Sequence, residues 1–143
     1  MAFGAVKRWP SDKWFSLCVR ERTNWVCQCC NKHLERGAMN LHCSHLFSRR
    51  HRATRWHPDN AFAHCFSCHE KLGGDPIEFS IWATSTLGPA KVNKLRVLAN
   101  STLKMTAQDR KYVAAHYKRE HERMMAERAA GHVGFLQFER WNK

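Results

Sequence analysis

Two Cys-x-x-Cys pairs, Cys27/Cys30 and Cys65/Cys68, constrain most strongly what this chain can fold into. At that spacing each pair places two thiolates on one metal, and together they supply the four sulfurs of a closed tetrahedral Zn²⁺ site. Such a metal ties together a polar, turn-rich middle third that has too little apolar side chain to build a core easily. Cysteines number seven, an odd count, and the close pairs are poorly spaced for unstrained internal bridges. The seven therefore read as thiols in a reducing compartment, four on zinc, with Cys18, Cys29 and Cys43 left over. The formal charge of +12 implies a polyanionic partner, nucleic acid ahead of an acidic membrane surface. No apolar run reaches the roughly 18 residues of a membrane span. The opening MAFGAVKRWPSDKW has no apolar stretch long enough for a secretory signal, so a cytoplasmic location is expected.

Along the chain, Ser11 reads as the N-cap of a short helix to about Thr23, with Trp14, Leu17 and Cys18 at helical spacing. CQCCNKHL (27–34) is a zinc knuckle. LHCSHLF (41–47) alternates as a strand, SRRHRATRWHP (48–58) is a basic loop, and AFAHC (61–65) is the return strand. CFSCHEKL (65–72) is a short helix that Gly73 and Gly74 end. Asp75-Pro76 starts a helix that stops at Gly88; Pro89 opens another, with Val92, Leu95 and Leu98 as its apolar side. Thr106 and Asp109 cap a long helix from Ala107 to Ala130, whose charges form a solvated face. The expected class is α+β. It comprises an N-terminal helical segment (1–26), a zinc-bound ββα core (27–88) and a helical C-terminal extension (89–143). The aromatic tail FLQFERW (135–141) must dock on its own domain or on a second copy, so a homodimer through the C-terminal helices is one expectation.

Around the cysteine pairs fall His45, Asn60 and His69, at intervals of 15 and 9 residues. That series, set on two Cys-x-x-Cys pairs, resembles the HNH nuclease superfamily with its ββα-metal fold. The run SHLFSRRHRATRWHPDNAFAHCFSCHEKLGG is similar to phage recombination proteins of the NinG (Rap) family, implicated in processing branched DNA. The likeness covers residues 27–79, is looser after Leu87 and hardly touches residues 1–24. It implies a zinc-stapled HNH endonuclease that hydrolyses DNA phosphodiester bonds. His45 would be the general base, Asn60 would fix the loop that orients it, and His69 would be a ligand of a second, catalytic ion, Mg²⁺ or Mn²⁺.

One departure stands beside the resemblance. Many HNH enzymes carry Asp or His just before the base, where this chain has Ser44. Strand alternation gives residue 42 the same face as residue 44, which makes His42 the second ligand in this reading; Asp59 is a further candidate. Arg49, Arg50, Arg52 and Arg55 are expected to grip DNA phosphates, which position a substrate without reading its sequence. Trp56 reads as a packing residue. The alternative function is a non-catalytic, zinc-dependent DNA-binding accessory of recombination or packaging.

Overall fold

The computed structural model describes residues 6–143, so part of the N-terminal stretch read against a secretory signal lies outside the described residues. These residues form a mixed α+β domain of helices around a two-stranded sheet. In chain order the elements are α1 (Pro10–Arg22), β1 (Leu41–His45), α2 (Arg52–Arg55), a 3₁₀ turn (Pro58–Asn60), β2 (Ala61–Cys65), α3 (Phe66–Gly73), α4 (Pro76–Leu87), α5 (Pro89–Ala99) and α6 (Ala107–Ala129). None of the helices is long and apolar enough to cross a membrane.

The start of α1 differs from the sequence expectation. Pro10 takes the first helical position, where its missing N–H costs nothing. Asp12, rather than Ser11, does the capping: its Oδ2 accepts the Trp9 N–H at 2.8 Å, while its own N–H donates to the Trp9 carbonyl at 2.9 Å. The later caps follow the local sequence. Asp75 accepts the Glu78 N–H at 3.1 Å, Gly88 ends α4 at φ +91°, and Thr106 and Asp109 cap each other's N–H groups at 3.0 Å.

The strands pair antiparallel, with Leu41 opposite Cys65 and His45 opposite Ala61. Side chains alternate between the two faces of this sheet. Leu41, Cys43 and His45 share one face with Ala61, Ala63 and Cys65; His42 and Ser44 share the other with Phe62 and His64. The first face packs on the knuckle through Trp25 and Cys27, and on α1 and α6 through Phe15, Val113 and Tyr117. The second lies under α3 and α4, where Phe62 meets Leu72, Phe79 and Ala83.

The segment after β1 is more ordered than the basic loop expected, because one buried amide closes it. Asn60 Oδ1 accepts the Phe47 N–H at 2.8 Å, and its Nδ2 donates to the carbonyls of Phe47 (2.9 Å) and Thr54 (3.0 Å). Trp56 is 5 % exposed and packs in the core, as its sequence context suggests.

The boundaries drawn at 27 and 89 do not separate cores. Phe15 of the first segment, Trp56 and Ala61 of the second, and Tyr117 and Phe138 of the third form one buried cluster. The aromatic tail docks on its own domain. Leu136 and Phe138 enter the core, and the Trp141 N–H donates to the Tyr117 hydroxyl at 3.1 Å. Glu21, fully buried, ties α1 to the rest: it accepts from Trp25 Nε1 at 2.7 Å, Arg36 at 2.6 Å and Arg128 at 3.2 Å.

Candidate functional site

The four cysteines converge. The knuckle turns through Asn31 at φ +63°, with the Cys27 N–H donating to the Lys32 carbonyl and the Asn31 N–H to that of Cys27, both at 2.9 Å. Gln28 then stitches the knuckle to β2: its N–H donates to the Ala63 carbonyl at 2.8 Å, and its Oε1 accepts the Ala63 N–H at 2.9 Å. This sets Cys27 and Cys30 against Cys65 and Cys68, with all four sulfurs within 4.8 Å of one another. Cys30 and Cys65 Sγ are 3.7 Å apart. A tetrahedron with Zn–S bonds of about 2.3 Å has edges of about 3.8 Å, so the cage can hold a metal such as zinc. Four thiolates would leave no open position on such an ion, the coordination of a structural site. None of the seven cysteines is in a disulfide.

On the α3 face of the sheet, His42 and His69 meet, their Nδ1 atoms 2.6 Å apart and their rings edge-on. Nitrogens this close either share one proton or turn both lone pairs toward one cation. Burial, and next the neighbouring His42, hold the His69 pKa below its ordinary value. Ser44 does not complete the pair. It is buried and hydrogen-bonded to His64 Nδ1 at 2.9 Å, inside a ring of Phe62, Phe79 and Trp82. Serine at this position therefore partners one ring nitrogen of a buried histidine, whose pKa burial lowers to about 4.

His45 belongs to the opposite face, with its ring against Phe15 of α1. Its Nε2 lies 3.1 Å from the Arg55 carbonyl, which only accepts, so Nε2 carries the proton and Nδ1 keeps a free lone pair. Burial pushes the His45 pKa down to about 4, leaving a neutral imidazole near pH 7. Asn60 Nδ2 donates to the Thr54 carbonyl, one residue before the carbonyl that holds His45. The trio His45, Asn60 and His69 is thus not one cluster: His45 stands on the α1 side, His69 with His42 on the α3 side, and Asn60 bonds the loop between the strands.

The two sides meet at the free edge of β1, which has a strand partner on one side only. A cleft of about 400 Å³ runs along that edge, and both His42 and His45 line it. Its other walls are Arg8, Asp12, Ser16 and Arg20 from the N-terminal segment and α1, and Arg49 from the loop. Sequence reading missed this contribution of α1. The signal was present, since Asp12, Ser16 and Arg20 recur every four residues on one helical face.

The four arginines have different fates. Arg49 lines the cleft, while Arg50 and Arg52 are exposed on the outer side of the loop. Arg55 is a correction to the phosphate-gripping role. Its side chain is 3 % exposed, its Nη2 donates to Asp12 Oδ2 and the Lys7 carbonyl at 2.6 Å each, and its guanidinium covers Trp9 at 4.0 Å. A guanidinium with its donors committed inside the fold does not reach a phosphate. Asp59 also stands apart from the histidines, lining an opening with His57 and Lys91. No family model, curated protein or solved structure matches the chain.

Proposed function

We propose that this protein is a metal-dependent endonuclease of the HNH type that hydrolyses DNA phosphodiester bonds. The observation that carries the reading is His45: a neutral imidazole, oriented through Nε2 by the Arg55 carbonyl, on a cleft bordered by Arg8, Arg20 and Arg49. A base fixed in that tautomer is ready to take a proton from water at Nδ1. The water oxygen then attacks phosphorus as the bond to the 3′ oxygen breaks and that oxygen takes a proton from solvent, leaving a 5′-phosphate and a 3′-hydroxyl. Asn60 holds the loop and so the carbonyl, while the arginines bind the phosphates on either side. His42 and His69 supply two nitrogens for a divalent ion, which when bound neutralises charge building on the phosphoryl oxygens. Two imidazoles without a carboxylate suit a transition ion such as Zn²⁺ or Ni²⁺ better than the oxygen-seeking Mg²⁺ or Mn²⁺. The resemblance of residues 27–79 adds branched or recombination-intermediate DNA as the substrate class.

The test is a cleavage assay on matched linear, splayed and four-way-junction DNA, with each divalent ion in turn, using wild type, His45→Ala and His69→Ala. Ion-dependent scission that both variants lose while still binding DNA is the expected result. Binding without scission by wild type, on every substrate and with every ion, would overturn the enzyme in favour of a DNA-binding accessory.

A further inference from the structure

Arg49 of the basic cleft is followed in the chain by Arg50, which lines the first of three further openings. These three share wall residues with one another in turn. The first lies between Arg50, Arg52 and Lys104; the second, behind Arg52, is closed by Trp56, His57 and Arg140 of the tail. The third continues past His57 and Arg140 to Lys91 and Lys94 on α5.

What these walls offer is a set of basic side chains and ring N–H donors. Lys91, Lys94, Lys104 and Arg140 are exposed, and none has an ion-pair partner among the described residues. His57 accepts the Asp59 N–H at Nδ1, which leaves its Nε2–H as a donor, and burial lowers its pKa to about 4. The Trp56 indole N–H is buried with no partner. Among the described residues, Asp59 is the one carboxylate side chain that lines any of the three openings. Isolated surface lysines are ordinarily solvated, but concave basic walls that join one another and begin at the residue after Arg49 suit a polyanion.

We propose that these openings extend the nucleic-acid path: the strand that passes His45 crosses the loop and seats its further phosphates between α5 and the C-terminal tail. The C-terminal half then serves as a phosphate-binding arm of the site. This rests on the reading of the cleft as a DNA site and adds to it a direction and a second group of phosphate-binding side chains.

The experiment measures DNA affinity by fluorescence anisotropy over a salt series, in the His45→Ala background so that no strand is cut. Arg140→Ala and the double variant Lys91→Ala/Lys94→Ala are compared with Arg49→Ala in the cleft. Arg119→Ala, exposed on α6 and outside all four openings, is the control. Each phosphate left without its cationic partner should lower the slope of log affinity against log salt by about 0.9 on duplex and about 0.7 on single strands. Arg140→Ala should show one such step and the double variant about two, on long DNA, with Arg119→Ala unchanged. Oligonucleotides too short to leave the cleft should bind all but Arg49→Ala equally. Unchanged slopes for Arg140→Ala and the double variant, beside a reduced slope for Arg49→Ala, would overturn this path and keep the cleft. Absence of DNA binding by the parent would overturn both.

Discussion

Replacing Arg55 by alanine separates a structural arginine from a phosphate-binding one. The native side chain makes a two-pronged pair with Asp12, Nε to Oδ1 at 3.0 Å and Nη2 to Oδ2 at 2.6 Å, and also donates to the Lys7 carbonyl. Its exposure is 3 % and that of Asp12 is 6 %, so neither charge is appreciably screened by water. Truncation leaves the Asp12 carboxylate buried, with the Trp9 N–H and a distant Arg49, 3.9 Å away, as its remaining support. Removing one partner of such a pair costs about 3–5 kcal/mol. For a chain of this size that lowers Tm by roughly 10–20 °C. Urea titration at fixed zinc, followed by far-UV circular dichroism, reads the loss directly. Arg52→Ala, on the exposed side of the same short helix, should stay within about 0.5 kcal/mol of wild type. The double variant Asp12→Ala/Arg55→Ala should lose less than the two single losses combined, because the second change removes the orphaned charge. Stability of Arg55→Ala equal to that of Arg52→Ala, together with a DNA salt slope reduced by the step of one whole phosphate, would refute the reasoning.

Three further outcomes are expected. Cys65→Ser, or a strong chelator, should release zinc and unfold the knuckle; a folded Cys65→Ser protein that keeps stoichiometric zinc by elemental analysis would dismiss the four-cysteine cage. His45 has a folded pKa of about 4 against an ordinary 6.5, so the unfolded chain binds the extra proton between those values. Its contribution is therefore fully present above about pH 6.5 and is lost as pH falls toward 4, with a limiting slope of about 1.4 kcal/mol per pH unit. His45→Asn should flatten the measured stability–pH curve by that amount; parallel curves for the two proteins would contradict it. Asn60→Ala strips partners from Phe47 and Thr54 and should cost about 2–4 kcal/mol by denaturant titration. If Asn60 positions the base, cleavage at saturating DNA should fall with KM little changed, whereas a rise in KM alone would assign it to binding.

How much could be read without the fold follows from the range of each interaction. The cysteine pairs, the proline-led starts of α4 and α5, the Gly88 stop and the Thr106–Asp109 cap were legible because each is settled within a few residues of backbone. The strand pair was legible too, since alternation and turn residues mark it locally. The start of α1 misled, because Asp12 outcompetes Ser11 only through its reach back to Trp9. Arg55 was indistinguishable from its neighbours in a run of arginines. Its burial depends on Asp12, 43 residues away, and no local pattern records that partner. The same holds for the separation of His45 from His69 across the sheet, for the α1 wall of the cleft, and for the tail's choice of its own core. The spacing of residues along the backbone thus determined the four-cysteine cluster and those element ends that local caps set. Tertiary packing alone decided which charges face solvent and which histidines meet, because burial is a property of distant segments brought together.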